Sequence, residues 1–272
     1  MDFLKNFQQP TLFSKLPFLT SVISSININI NINKFGLQRG LLHIFTNSGI
    51  KLSTHNKSTN LIEILSTKKV VVISNHINNF DPLVLLALLP PRNDCFQLTN
   101  ADYLGIIPNL DAYLIPVYIR HQIAKKKLFI SLFLKHIFFN KSLGFEEEKE
   151  LNTKSIKDAR RKLQNGAEII IFPSPGNKIN KERWYRGIGR ILENMRNLDE
   201  IYIVNVYIKG TTSVDFLRIF PLMYKYFPTI DVIFSEPQIA GKMIEDKMDS
   251  YDITKILEDN FNTWVLGFKK LK

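Results

Sequence analysis

Three observations predict an α/β fold with a mixed, largely parallel sheet flanked by helices. The β-branched run KVVVIS, Lys69 to Ser74, lacks polar alternation, which is the pattern of a strand covered on both faces. Strand-like runs then recur with helix-length segments between them, as expected when helices lie over a sheet. The Lys69 run also ends at Asn75 and His76 with a helix start shortly after, so a strand feeds a helix through one short turn.

In the stretch that begins at Ser21, the run SSININININ (Ser24 to Asn33) alternates asparagine with isoleucine, and two readings stay open: a half-buried strand of period two, or low-complexity filler. Residues 1–34 are therefore set apart as a lead-in, and 35–272 as the α/β domain. Apolar residues at helical spacing place a helix over Phe35 to Phe45, and GIKLST places a strand over Gly49 to Thr54. After the Lys69 strand, Asp81 is suited to cap a helix and Pro82 to its first position, while Pro90 and Pro91 close the segment. Further strands are expected at Cys95 to Asn100, Ala112 to Ile119, Ala167 to Phe172, Ile201 to Ile208 and Thr229 to Phe234. Helices are expected at Gln122 to Phe139, Asn152 to Asn165, Arg183 to Asn197 and Asp252 to Gly267.

Composition narrows the function. In 272 residues, 36 Lys and Arg against 25 Asp and Glu leave a net charge of +11, which favours an anionic partner: nucleic acid, a phospholipid surface or a phosphorylated substrate. The single cysteine, Cys95, excludes an internal disulfide framework and a multi-cysteine zinc site, and its apolar strand suits an inert buried thiol. No apolar run reaches the roughly 18 residues of a spanning helix. The nearest, Leu128 to Phe139, contains Lys135 and His136. Pro10 and Pro17 interrupt the N-terminal stretch and no small-residue cleavage site follows, so no signal peptide is expected. A G-x-S-x-G elbow and a phosphate-binding GxxxxGK[ST] loop are both missing from the sequence, which argues against a serine nucleophile and nucleotide hydrolysis.

The chemistry centres on His76 and Asp81, five residues apart where the buried strand meets the helix. A histidine there can take a proton from a hydroxyl if a carboxylate fixes its tautomer and stabilises the imidazolium. The bland alternative is that Asp81 only caps its helix and His76 is an ordinary turn residue.

Around that pair, ISNHINNFDPLVLL at Ile73 to Leu86 resembles the HxxxxD block of the glycerolipid acyltransferases, the 1-acylglycerol-3-phosphate acyltransferases and their lysophospholipid relatives. YLGIIPNLDAYLIPVYIR at Tyr103 to Arg120 resembles the family's second block, which implies Arg120 as a phosphate contact. EIIIFPSPGNKIN at Glu168 to Asn180 occupies the place of the FPEGTR block. Phe172, Pro173 and Gly176 match it, but Ser174 and Pro175 stand where the family has glutamate, and Lys178 replaces the arginine only with one inserted residue. WYRGIGRIL at Trp184 to Leu192 is similar to the family's basic-glycine stretch, with Gly187 as the match and Arg183 or Arg186 as replacement anion contacts. IYIVNVYIKG resembles the fourth block, with Asn205 in place of proline, and IDVIFSEPQIAG resembles the strand and Glu-Pro turn that follow it.

The resemblance implies a glycerol-3-phosphate acyltransferase-like fold with an N-terminal helical lead-in. It also implies transfer of a fatty acyl group from acyl-CoA or an acyl-carrier protein to the hydroxyl of a lysophospholipid, with His76 as general base and Asp81 orienting it. No metal and no cofactor is expected, the acyl thioester being a co-substrate. The lipid acceptor implies peripheral, monotopic attachment to the cytoplasmic face of a membrane. Two stretches suit contact with an anionic bilayer: Met1 to Thr20, and Leu128 to Phe139 behind Lys125, Lys126 and Lys127. The alternatives are a non-catalytic lipid-binding protein on the same fold and a basic nucleic-acid binder; the scattered charges and lack of a groove-reading module disfavour the last, so no nucleic acid is expected.

Overall fold

The structure, a computed structural model, describes residues 16–56, 58–118, 144–174, 184–220 and 222–269. The run Lys69–Ser74 forms strand β2, and Val70, Val71, Val72 and Ile73 are all fully buried. Both faces are covered, since Val70 and Val72 join one apolar cluster while Val71 and Ile73 join another. Burying each such side chain stabilises the fold by roughly 1.5–3 kcal/mol, which is why alternation is missing from this strand.

The other strands are β1 Leu52–His55, β3 Cys95–Asn100, β4 Leu114–Val117, β5 Glu168–Ile171, β6 Ile201–Lys209, β7 Ile230–Phe234 and β8 Gln238–Ile239. They form one sheet in the order β1-β7-β6-β2-β5-β3-β4, with β8 also pairing β6. Pairing is parallel from β6 through β2, β5 and β3 to β4, and between β1 and β7. It turns antiparallel where β7 and β8 meet β6, so the sheet is mixed but largely parallel, as expected.

On one face lie α1 (Leu16–Phe35), α2 (Leu37–Asn47), α3 (Leu61–Thr67), α4 (Asp81–Leu88) and α5 (Pro108–Asp111). The other face carries α6 (Phe145–Gln164), α7 (Gly187–Leu192) and α8 (Ser250–Lys269). Three of these differ from expectation. The SSININININ stretch is neither the strand nor the filler that its composition left open: it lies within helix α1, in keeping with the helical lead-in that the resemblance implies. Isoleucine at every second position puts Ile28 and Ile32 on one helical face and Ile26 and Ile30 on the other. The first pair is buried and the second is 56% and 57% exposed. Asparagine and isoleucine are middling helix formers, so burial against α2, not local propensity, decides the matter. Helix α6 begins well before the expected Asn152, with Glu146, Glu147 and Glu148 in its first turn, where acids suit the helix dipole. Helix α7 is shorter than expected because the chain leaves it at Glu193, and Asn194 and Asn197 take left-handed conformations. The expected helix Gln122 to Phe139 lies outside the described residues. Among the described residues, no helix is long and apolar enough to cross a membrane.

Candidate active site

Because β6, β2 and β5 are parallel neighbours, their C-terminal ends lie side by side on one edge of the sheet, the edge at which α/β sheets bind ligands. His76 follows β2, Phe172 follows β5, and Thr211 follows β6. Asn75 sets the exit of the chain from β2. Its side-chain amide donates to the Ile208 carbonyl at 2.8 Å, and its side-chain oxygen accepts from the Ile208 N–H at 2.7 Å. An asparagine thereby imitates one more peptide of the β2–β6 ladder and holds the turn against β6.

Within that turn Asp81 is wholly buried. Its Oδ2 accepts from the backbone N–H groups of Ile77 at 2.6 Å and Asn78 at 2.8 Å. Its Oδ1 accepts from the Thr211 hydroxyl at 2.6 Å. Three donors surround the carboxyl, which is how a buried carboxylate is kept at tolerable cost. Oδ2 also lies 3.5 Å from His76 Nδ1, longer than a good hydrogen bond and not aligned as one. No described residue accepts a hydrogen bond from that shielded nitrogen. The His76 side chain is 28% exposed, and the Phe172 ring packs against the imidazole with centroids 5.3 Å apart.

Asp81 is not the N-cap that the sequence predicts. It is the first helical residue, the cap position falls on Phe80, and Pro82 follows within the first turn. Its side chain turns back to amides upstream, so it organises the HINNF turn instead of satisfying the N–H groups of its own helix.

Thr211 sits on a braced loop. Gly210 has φ of +92°, and a Cβ there would lie 2.2 Å from the Thr229 carbonyl oxygen, so only glycine fits between β6 and the start of β7. The buried Arg218 donates to Gly210 O at 2.7 Å, Pro228 O at 2.6 Å and Asp215 Oδ1 at 2.6 Å. Asp215 in turn accepts from the Thr212 N–H and hydroxyl, both at 2.6 Å. Sequence reasoning missed Thr211. Its only local signal is a Gly-Thr-Thr after a strand, which says nothing about an acid 130 positions earlier in the chain.

Residues 55–209 match the acyltransferase family, more than half of the chain. The chain belongs to the acyltransferase family. The matched segment contains β2, the His76–Asp81 turn, β5 and β6, and it makes the chain an O-acyltransferase enzyme. No curated protein matches it. Among solved structures it is similar to the crystal structure of the 1-acyl-sn-glycerophosphate acyltransferase PlsC from Thermotoga maritima. That similarity has 14% identity and a TM-score of 0.46, and covers 94% of this chain and 99% of that one.

In this acyltransferase the remaining sequence-derived site positions are Arg120, Gly176, Lys178, Arg186 and Gly187. Arg120, Gly176 and Lys178, with Arg183, lie outside the described residues. Arg186 is exposed, its guanidinium 4.9 Å from the centre of the Tyr251 ring on α8. Gly187 opens α7, and among the described residues an added Cβ there would meet only Ile171 Cδ1, at 3.8 Å. The constrained glycine is Gly189, where a Cβ would fall 1.9 Å from the Ser250 carbonyl oxygen, so α7 and α8 approach through it. Asn205 belongs to the α8 side of the sheet and donates to Asn260 Oδ1 at 2.9 Å. A cavity of about 530 Å³, lined by Tyr202, Gln238, Lys242 and Asn260 among others, opens at the start of β6, the opposite end from Thr211, and is no part of the His76–Asp81 turn.

Proposed function

We propose that this enzyme transfers a fatty acyl group from an acyl thioester, carried by CoA or an acyl-carrier protein, to the hydroxyl of a lysophospholipid such as 1-acylglycerol-3-phosphate. The observation that carries the chemistry is the buried Asp81 carboxylate facing His76 Nδ1 at 3.5 Å at the end of a central parallel strand. With Nδ1 turned to Asp81, Nε2 is left for the acceptor. Apo active sites commonly hold such contacts long and tighten them with substrate bound.

In the proposed step, His76 Nε2 takes the proton of the acceptor hydroxyl as its oxygen bonds to the thioester carbonyl carbon. Asp81 stabilises the imidazolium. Collapse of the tetrahedral species breaks the carbon–sulfur bond, and the imidazolium returns its proton to the departing thiolate, leaving ester and thiol. The chain thus acts without a covalent enzyme intermediate. Arg120, Lys178 and Arg186 are proposed anion contacts for the acceptor, with Gly176 and Gly187 in the backbone that approaches it. A net charge of +11 supports attachment to an anionic membrane surface, proposed to be peripheral and on the cytoplasmic side.

The test offers labelled acyl-CoA and acyl-carrier protein with lysolipids that carry or lack a phosphate, together with sedimentation on anionic and neutral vesicles. Turnover is expected on a lysophospholipid, and His76→Ala should lower kcat by roughly 10²–10⁴-fold, the usual contribution of a general base. Equal turnover by wild type and His76→Ala would remove His76 from the chemistry, and turnover confined to phosphate-free acceptors would remove the lysophospholipid.

A further inference from the structure

We propose that Thr211 is a positioning residue for acyl transfer, its hydroxyl holding the Asp81 carboxylate in the rotation that turns Oδ2 toward His76. This rests on the reading of His76 as general base and Asp81 as its partner.

The two oxygens of Asp81 are tethered to different parts of the molecule. Oδ2 is held by Ile77 and Asn78, residues of the same turn that moves with it. Oδ1 is held by Thr211, which lies beyond β6 and is fixed to the sheet. Among the described residues, this second tether alone ties the carboxylate to a frame outside its own loop. The hydroxyl has a single proton, and its direction is set by a neighbour. The Asn78 side-chain amide donates to Thr211 Oγ1 at 3.2 Å, which leaves the hydroxyl proton for Asp81. The loop carrying Thr211 is itself locked, since Arg218 bonds Gly210 O and Asp215 while Asp215 binds both the N–H and hydroxyl of Thr212. That bracing is more than a single surface hydroxyl needs, and it delivers one donor to one oxygen.

Positioning matters here because the Oδ2 to Nδ1 contact, at 3.5 Å, lies at the edge of hydrogen-bond range. A small tilt of the carboxylate closes or opens it, and misplacement by about 1 Å in a catalytic array costs on the order of a hundredfold in rate. Valine at 211 would keep the shape of threonine and delete the donor, whereas serine would keep the donor and delete the methyl group.

The experiment is steady-state kinetics on wild type, Thr211→Val and Thr211→Ser, with His76→Ala as control and with Thr211→Val repeated in an Asp81→Asn background. Loss of one hydrogen bond to a buried charge predicts a drop in kcat of roughly tenfold to a hundredfold for Thr211→Val. Both KM values should stay within about twofold, since the residue is not proposed to touch substrate, and Thr211→Ser should restore most of kcat. In the Asp81→Asn background, Thr211→Val should cost little more, because coupled residues are not additive. If Thr211→Val does not fold, Thr211→Ala against Thr211→Ser carries the same comparison of hydroxyl with none. Wild-type kcat in Thr211→Val beside an inactive His76→Ala overturns this inference alone, as does a full additional loss in the Asp81→Asn background. A fully active His76→Ala instead overturns the general-base reading beneath it.

Discussion

Two carboxyl groups, Asp81 and Glu168, are completely buried at opposite ends of the same pair of strands. Asp81 lies just past the C-terminal end of β2. Glu168 opens β5 and is in register with Val70 near the start of β2. Asp81 accepts hydrogen bonds from two amides and a hydroxyl, whereas neither oxygen of Glu168 has a hydrogen-bond partner among the described residues. Burial pushes the Glu168 carboxyl up to about 7, against a partial pull from the nearby Cys95 thiol and the Arg92 guanidinium. The thiol comes near without the geometry of a hydrogen bond. Burial alone is therefore no ground for the role proposed for Asp81. What separates the two is the set of donors built around one and missing from the other, and the histidine facing it.

The contrast can be broken experimentally, and the largest effect should fall on Asp81. Asp81→Asn keeps the shape but weakens the hold on His76, and kcat should fall roughly 10²–10³-fold, as when the orienting acid of a histidine is lost. The assay used for His76→Ala measures it. An active Asp81→Asn would reduce Asp81 to a turn-former no more catalytic than Glu168.

Glu168 should respond in stability and not in activity. Its folded-state value lies above the ordinary 4.5, so the folded protein binds a proton that the unfolded chain releases. Its contribution is complete below about pH 4.5 and is lost as pH rises through about 7, near 3 kcal/mol in all. Glu168→Gln should accordingly gain roughly 2–3 kcal/mol over wild type at pH 8, with the difference vanishing toward pH 4.5 and kcat unchanged. Urea unfolding at both pH values reads this directly. A loss of activity in Glu168→Gln would give the second carboxyl a role it lacks here.

The smallest expected effect concerns Cys95 beside Glu168. Burial pushes its thiol well above the ordinary range, and the thiolate is the reactive form. A thiol reagent should leave the folded protein essentially unlabelled and react fully in denaturant. Rapid labelling of folded protein would show that the Cys95–Glu168 region opens to solvent, unlike the tethered region of Asp81.

Some of this was legible in the residues. The unbroken β-branched run at Lys69 marked the buried central strand, because a strand covered on both faces has no polar side to display. The HINNFD spacing marked the turn that follows. Less legible was the N-terminal SSININININ, since a period of two satisfies a strand but also splits isoleucine evenly between two helical faces. Packing against the rest of the fold, α2 foremost, selects the helix. The resemblance implies Gly187 because motif position reports likeness, whereas the approach of the Ser250 carbonyl to Gly189 is a packing fact that no motif carries.

By itself the sequence determined that a histidine ends a buried parallel strand with an acid five residues later, since both follow from short-range pattern and turn chemistry. Only the tertiary structure decided that Asp81 turns back to that histidine instead of capping its helix, and that Thr211 holds the far oxygen. The physical reason is that hydrogen bonds between the ends of neighbouring strands are set by strand order and register. Placing β6 beside β2 brings positions 81 and 211 together, and no local preference at either position encodes it.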